Sequence, residues 1–241
     1  MWRITTPLLD PTMQKPEPSA LPQRLAAIPF LRGLDAEVLR SLAKTALWRS
    51  YPAGAILFLE GEAAAGLYQV HSGWIKVVKM SPEGREQVLR FLGPGETFNE
   101  IGVFGNRPNP ATAIVLEPTG LWLIERAVIR RLLETHPAVA VQVLERMADR
   151  VIELVGLVAD LSLRTVEARL ARLLLEQSAG DVVVRQRWAT QTELAARLGT
   201  VPDVLSRAMR GLGEAGLIEV ERQHIRILDR AGLEARAMVG G

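Results

Sequence analysis

Residues 190–228 have the sequence TQTELAARLGTVPDVLSRAMRGLGEAGLIEVERQHIRIL, and this stretch decides the fold of the C-terminal part of the chain. Thr190 is a suitable N-cap, and Glu193 three residues later completes a capping box. The helix that follows, ELAARL, stops at Gly199, because glycine adopts the positive φ of a tight turn at little cost. Ala195, four residues before that glycine, is small enough for two helices to cross closely. The pattern predicts a short helix that ends in a tight turn.

A second helix is predicted from Val201 to Glu214. Pro202 lies in its first turn, where a missing N–H costs little, and Gly216 ends it. The residues predicted to face inward are Val204, Leu205, Ala208 and Leu212. The segments LIEV, ERQH and IRIL then form a strand, a turn and a strand, and Asp229 caps a closing helix. This combination predicts a winged helix-turn-helix. The alternative is a helical hairpin with no role in DNA binding.

In a helix-turn-helix the second helix enters the major groove of DNA, and its N-terminal residues meet the base edges. Arg207 is the candidate guanine contact, through its fork to O6 and N7, and Asp203 is the candidate acceptor for a cytosine amino group. Arg210 and the threonines that begin the first helix are expected to meet phosphates. The predicted DNA-binding residues are Thr190, Thr192, Thr200, Pro202, Asp203, Ser206, Arg207 and Arg210. The alternative for Asp203 and Arg207 is an i,i+4 ion pair on a solvated helix face, which is compatible with DNA binding.

The N-terminal half has a different pattern. Between Tyr51 and Glu125 short apolar stretches are separated by the turn signals PAG, EGE, HSG, SPEG and GPGE. Many short strands at this spacing predict an antiparallel sandwich, and specifically a jelly roll. Helical spacing over residues 21–48 predicts one or two short helices before it.

Helical periodicity returns after Arg126, and apolar residues alternate there in steps of three and four. This heptad pattern predicts the seam of a parallel dimer. The predicted dimer-seam residues are Leu144, Met147, Val151, Leu154, Val158 and Leu161. The alternative is that the stripe packs on its own domain.

The predicted fold class is therefore α+β, with four segments. We expect a flexible tail over residues 1–20, a β-roll sensor domain over 21–130, a dimerisation helix over 131–163 and a winged helix-turn-helix domain over 164–241.

The composition excludes several classes of protein. There is no cysteine, which rules out disulfides, cysteine-held metal centres and a cysteine nucleophile. Only three histidines occur, at positions 71, 136 and 224, so the ligand supply for a metalloenzyme such as a cupin is small, and neither enzymatic activity nor a metal site is expected. No apolar run approaches the roughly 18 residues that span a bilayer, and the N-terminus lacks the layout of a signal peptide, so a cytoplasmic protein without membrane contact is expected.

Four motifs in this order resemble the Crp/Fnr family of bacterial regulators: YPAGAILFLEGE, SGWIKVVKMSPEGREQVL, GPGETFNEIGVF and GTVPDVLSRAMRGLGEAGLIEV. The resemblance implies a double-stranded β-helix sensor of the cyclic-nucleotide-binding type. It further implies a long dimerisation helix, a homodimer that binds an inverted repeat in double-stranded DNA, and RNA polymerase as a partner.

Within that family the recognition helix is similar to the Fnr branch, which has an acid followed by Ser-Arg three and four residues later. Asp203, Ser206 and Arg207 match this spacing and imply a TTGA-like half-site. The shorter aspartate, where the family prefers glutamate, leaves the exact bases open. The C-terminal part is similar to the cysteine-less regulators of denitrification that respond to nitric oxide, for which haem is the proposed sensor. Haem requires an axial ligand, for which His71 and His136 are the candidates, although an ordinary structural role is the alternative for both.

The resemblance also bears on the effector of the roll. In cAMP-binding relatives an Arg-Ser pair holds the phosphate, and the equivalent positions here are Pro110 and Ala111, so cAMP is not expected to bind. The predicted effector-pocket residues are Glu96, Phe98, Asn99, Glu100, Ile101 and Arg107, the last as a substitute anchor. The effector itself stays unidentified, and two alternatives stay open. The regulator could need no effector, or the chain could be a nucleotide-sensing module that acts through protein partners.

Overall fold

The computed structural model describes residues 14–105 and 107–240. They divide into two compact units, one formed by the chain up to residue 79 with 89–150, and the other by 80–88 with the chain from 151 onward. Most of the predicted tail over residues 1–20 lies outside the described residues. Its described end contains a 3-10 turn at Pro18–Ala20.

In the described part of the chain before the roll, the helical spacing over 21–48 corresponds to two short helices. They are α1 (Leu21–Ala26) and α2 (Ala36–Thr45), with a 3-10 turn at Pro29–Leu31 between them. Leu25, Phe30 and Leu31 are almost fully buried and pack with Trp122 and Ile124 of the roll. The helices therefore cover one side of the roll with their apolar faces.

The described residues of the roll form eight strands in two four-stranded sheets. The strands are β1 (Leu47–Tyr51), β2 (Ile56–Phe58), β3 (Gly66–Ser72), β4 (Ile75–Met80), β5 (Glu86–Leu92), β6 (Thr97–Phe98), β7 (Thr112–Val115) and β8 (Thr119–Glu125). The orders β1-β8-β3-β6 and β2-β7-β4-β5 bring sequence-distant strands together, as in a jelly roll. Residues from both sheets share one apolar cluster, which includes Tyr68, Val70, Ile75, Leu92 and Leu121. A short helix, α3 (Glu100–Phe104), connects β6 to β7.

The predicted dimerisation helix over 131–163 is wrong at its start. The chain forms two helices there, α4 (Arg126–Thr135) and α5 (Pro137–Leu163), separated by His136 with φ −132° and ψ 76°. A residue before proline is driven out of the α region by the proline ring, while the proline itself suits the first position of a helix. Pro137 therefore ends one helix and begins the next.

The C-terminal part forms a winged helix-turn-helix with its own core. Its elements are α6 (Val166–Gln177), β9 (Val182–Val184), α7 (Gln191–Arg197), α8 (Pro202–Glu214), β10 (Ile218–Val220), β11 (His224–Ile227) and α9 (Arg230–Ala237). The sheet order is β10-β11-β9, so the predicted hairpin has gained a third strand, β9, in a segment where the sequence analysis predicts none. Leu170, Leu205, Leu212 and Leu233 are at most 1% exposed and lie at the centre of this core.

Candidate nucleic-acid interface and effector cavity

The helix-turn-helix has the predicted cap and turn. The Thr190 hydroxyl oxygen accepts a hydrogen bond from the Glu193 backbone N–H at 3.2 Å and caps α7. Gly199 has φ +66°, and a Cβ at this position would lie 2.5 Å from Cδ2 of Leu161. The positive φ therefore favours glycine at the turn, and any larger residue would also displace the Leu161 side chain. The turn is closed by a hydrogen bond from the Thr200 N–H to the Ala195 carbonyl at 2.9 Å.

Helix α8 has one buried and one exposed face. Leu205, Ala208, Met209 and Leu212 are buried in the core, and Pro202 occupies the start of the helix. Asp203, Arg207 and Arg210 lie exposed on the opposite face. Within the described ranges, no ion pair joins Asp203 to Arg207, so the alternative i,i+4 pair does not form. The exposed guanidinium of Arg207 is free to form two hydrogen bonds with one partner, such as guanine O6 and N7.

The remaining predicted DNA-binding residues lie around the same end of α8. Thr192 is exposed in the first turn of α7, while Thr200 and Pro202 are half-buried at the turn between the helices. Ser206 is also half-buried and donates a hydrogen bond to Oε1 of Gln191 at 3.0 Å. The sequence analysis did not single out Gln191, because the pairing depends on how α7 crosses α8.

The wing brings together a set of charges that sequence reasoning missed. Arg226 of β11 lies 3.0 Å from Glu221 and 3.5 Å from Glu219, and Nε2 of His224 lies 3.0 Å from Glu221. These acids neutralise much of the positive charge on the strands. Arg222, at the exposed tip of the hairpin, is a candidate phosphate contact. The position of Arg222 in the predicted turn ERQH is the sequence signal that could have identified this contact.

The roll contains a cavity of about 70 Å³ beside α3. Its lining residues are Phe58, Val77, Arg90, Phe98, Asn99, Glu100, Ile101, Pro110, Ala111 and Arg150. Four predicted pocket residues, Phe98, Asn99, Glu100 and Ile101, therefore lie together at this cavity, and their role in effector binding stays a prediction. Two guanidinium groups, those of Arg90 and Arg150, were not predicted, because they come from β5 and α5, far from the motif in sequence.

Two predicted pocket residues do not line the cavity. The Glu96 carboxylate binds neighbouring groups instead. It forms an ion pair with Arg90 at 3.1 Å and accepts a hydrogen bond from the Gly93 N–H at 2.8 Å. Arg107 is exposed to solvent and is not among the lining residues, so the cavity gives no support to it as a substitute anchor.

The acid at the centre of the lining is held in place by its neighbours. Glu100 is 8% exposed and accepts a hydrogen bond from the Thr97 hydroxyl at 2.8 Å. Asn99 has φ +74°, a conformation that asparagine tolerates better than most residues, and its Nδ2 donates to the Gly66 carbonyl at 3.0 Å. The lining thus combines the fixed carboxylate of Glu100 with two guanidinium groups, the Asn99 amide and apolar side chains.

Comparison with known proteins agrees with both halves of this description. Residues 48–136 match the cyclic nucleotide-binding domain, and residues 168–236 match the Crp-like helix-turn-helix domain. The HTH-type transcriptional regulator Cmr of Mycobacterium tuberculosis is 30% identical over 201 residues, which cover 82% of this chain and 79% of that protein. The chain belongs to the Crp/Fnr family of transcription regulators.

Two further known proteins are similar over more than four fifths of the chain. The CRP-like cAMP-activated global transcriptional regulator of M. tuberculosis is 27% identical over 220 residues, which cover 88% of this chain and 98% of that protein. The structure of FixK2 from Bradyrhizobium japonicum superposes with a TM-score of 0.72 at 21% identity, over 81% of this chain and 99% of that chain. The predicted fold class and the DNA-binding role are confirmed. The Fnr branch stays a prediction.

The two candidate haem histidines of this Crp/Fnr regulator lie outside the lining of the roll cavity. No histidine or methionine is among the described residues that line it. His71 lies with its ring 5.4 Å from that of Trp48, and burial, followed by the charge of Arg24, lowers its pKa. Nδ1 of His136 lies 2.8 Å from the Thr135 hydroxyl, at the junction of α4 and α5.

Among residues 14–105 and 107–240, no group of three or more histidines and acids is arranged to hold a metal ion. No helix in those ranges has the length and hydropathy to cross a membrane.

Helix α5 carries an exposed apolar stripe that overlaps the predicted seam. The stripe consists of Val141, Leu144, Val151, Ile152, Val155 and Val158, which are 56–70% exposed. The predicted seam residues Leu144, Val151 and Val158 belong to it, whereas Met147, Leu154 and Leu161 are only half-exposed, and Met147 packs against the roll core. The stripe is therefore centred on the side of α5 that carries Leu144, Val151 and Val158, away from the other three residues.

Proposed function

We propose that this Crp/Fnr regulator is a homodimer that binds an inverted repeat of TTGA-like half-sites. Its contacts with RNA polymerase change transcription, and it acts in the cytoplasm. A small effector in the roll, other than cAMP, sets its affinity for DNA. The single observation that carries this proposal is the exposed and unpaired Arg207 on the outer face of α8, beside Asp203 and Ser206.

Arg207 and Asp203 supply complementary chemistry for a base pair. The guanidinium donates two hydrogen bonds to guanine, and the carboxylate accepts one from a cytosine amino group. Both side chains lie in the first two turns of α8, which is the part of a recognition helix that meets base edges. Because no protein partner holds the two groups together, they are free to bind bases on either strand.

The apolar stripe of α5 supports the homodimer. Six large apolar side chains on one helix face, each more than half exposed, form a surface that monomeric proteins rarely leave uncovered. Two such faces in a parallel pair would bury each other by heptad packing. A two-fold axis along this pair relates the two recognition helices, and therefore requires an inverted repeat with half-sites about one helical turn apart.

The cavity beside α3 supports an effector that is not bound in the manner of cAMP. Pro110 offers neither a backbone N–H nor a side-chain donor, and Ala111 has no side-chain donor, so the two anchor positions cannot hold a phosphate through their side chains. At about 70 Å³ the cavity has room for a few non-hydrogen atoms in its present shape. A small anion opposite Arg90 and Arg150 would suit this lining.

Substitution of two arginines on the same helix tests the proposed recognition. Arg207→Ala should abolish discrimination at one G·C pair in each half-site, with a loss of about 1–3 kcal/mol per half-site. Arg210→Ala is the matched control, and should weaken binding equally on specific and random duplexes while reducing the salt slope by about one per protomer. An equal loss on both duplexes for Arg207→Ala would exclude it as a base contact.

A further inference from the structure

The hydrogen bond between Ser206 and Gln191 joins the two helices of the DNA-binding motif. Ser206 lies one turn beyond the N-terminal residues of α8, and Gln191 is the first residue of α7. The Ser206 hydroxyl donates to Oε1 of Gln191 at 3.0 Å. The bond is exposed, and it lies on the side of α8 that carries Asp203 and Arg207. A residue of the supporting helix thus contacts a residue of the recognition helix directly at the proposed DNA surface.

The direction of this bond determines what Ser206 offers to DNA. A serine hydroxyl has one proton and two lone pairs, so an uncommitted serine binds a donor or an acceptor on a base equally well. When the proton is donated to Gln191, only the lone pairs are left for DNA. In the major groove the donor groups on base edges are the amino groups of adenine and cytosine, whereas thymine and guanine present acceptors.

We propose that Gln191 is a positioning residue that determines sequence specificity through Ser206. It fixes Ser206 as a hydrogen-bond acceptor, so the regulator prefers adenine or cytosine over thymine or guanine at one position of each half-site. This inference rests on the proposed function, because it requires α8 to lie in the major groove. The amide protons of Gln191 stay available as donors to a neighbouring phosphate.

The test compares base preference among the wild-type dimer, three single variants, and the double variant Gln191→Met with Ser206→Ala. Affinities are measured by fluorescence anisotropy on inverted-repeat duplexes in which every half-site position carries each of the four base pairs in turn. Gln191→Met keeps the side-chain length but has no carboxamide oxygen to accept the serine proton. Gln191→Glu has a carboxylate that can only accept a hydrogen bond. Ser206→Ala removes the hydroxyl group itself. The bond between the two altered residues is exposed, so the variants are expected to fold. Thermal unfolding of each variant checks that the fold is retained.

Wild type and Gln191→Glu should share a preference of about fivefold per half-site for adenine or cytosine at one position, the value of one net hydrogen bond. Gln191→Glu should bind all duplexes more weakly, because its carboxylate lies near phosphates. Gln191→Met should reduce that preference below about twofold, with other positions unchanged, and adding Ser206→Ala should cause no further loss. If Gln191→Glu keeps the base preference that Gln191→Met loses, then the preference depends on an acceptor at position 191. A merely structural role of Gln191 would not produce this difference.

Two outcomes would overturn the inference: Gln191→Met with the base preference of wild type, or Ser206→Ala with no change at any position. A different outcome would contradict the proposed function itself. If the wild-type protein prefers no base at any half-site position, then α8 is not a recognition helix. That conclusion holds whatever the Gln191 variants do.

Discussion

Val155 offers the sharpest test of the dimer interface, because it lies in the exposed stripe of α5 but was absent from the seam predicted from sequence. Its neighbour Leu154 was in the predicted seam but is only half-exposed. The two residues differ by about 100° around the helix, so only one of them lies at the centre of a parallel pair. We predict that substitution of Val155 weakens the dimer, and that substitution of Leu154 does so much less.

The magnitude follows from the exposure of the side chain. Val155 is 62% exposed in the single chain. Full burial of a valine side chain stabilises by about 1.5–2 kcal/mol, so burying the exposed part contributes about 1 kcal/mol per protomer and about 2 kcal/mol for the symmetric pair. Val155→Ala should therefore raise the dimer dissociation constant by roughly 10- to 30-fold. Val155→Glu should raise it further, because two carboxylates would face each other across the interface.

Sedimentation equilibrium across a range of protein concentrations measures this dissociation constant directly. Asp149→Asn is the matched control, since Asp149 is exposed on the same helix but lies away from the stripe. It should leave the monomer–dimer equilibrium unchanged. An unchanged dissociation constant for Val155→Glu, together with dissociation caused by Leu154→Ala, would refute the stripe as the dimer interface. It would support the seam predicted from sequence, which includes Leu154.

Three further predictions concern the turn, the half-buried His71 and the roll. Gly199→Ala should destabilise the C-terminal unit by more than about 1 kcal/mol in thermal unfolding, since its φ is positive and its Cβ would collide with Leu161; an unchanged melting temperature would contradict this. Because the folded pKa of His71 is lowered, the unfolded chain takes up a proton first as the pH falls below about 6.5. Stability should therefore decrease from pH 7 to 5, with a smaller slope in His71→Gln, measured by urea unfolding. Combining Pro110→Arg with Ala111→Ser should create cAMP binding detectable by calorimetry, whereas tight cAMP binding by the wild type would contradict the proposed effector.

The sequence was most informative where the pattern is local. The cap at Thr190, the turn at Gly199 and the buried face around Leu205 each depend on residues within one or two helical turns. Such features are determined by hydrogen bonding, backbone conformation and apolar spacing over a few residues. The helix-turn-helix could therefore be predicted nearly in full.

Features that depend on tertiary packing could not be predicted in this way. The lining of the roll cavity includes Arg90 and Arg150, which come from a strand and a helix separated from the α3 motif along the chain. The stripe on α5 is decided by which face packs on the roll core, and Met147 lies on that side. The bond between Ser206 and Gln191 depends on the crossing of two helices. In each case the missing information is the partner surface rather than the local pattern.

The central claim is that this chain recognises a specific DNA sequence as a dimer. The most direct test is an anisotropy titration of purified protein, at fixed moderate salt, onto a duplex with two inverted TTGA-type half-sites about one helical turn apart. A scrambled duplex of the same length and composition is the control. Affinity for the repeat should be at least about 10³-fold higher than affinity for the scrambled duplex. Coincident titration curves for the two duplexes would contradict it.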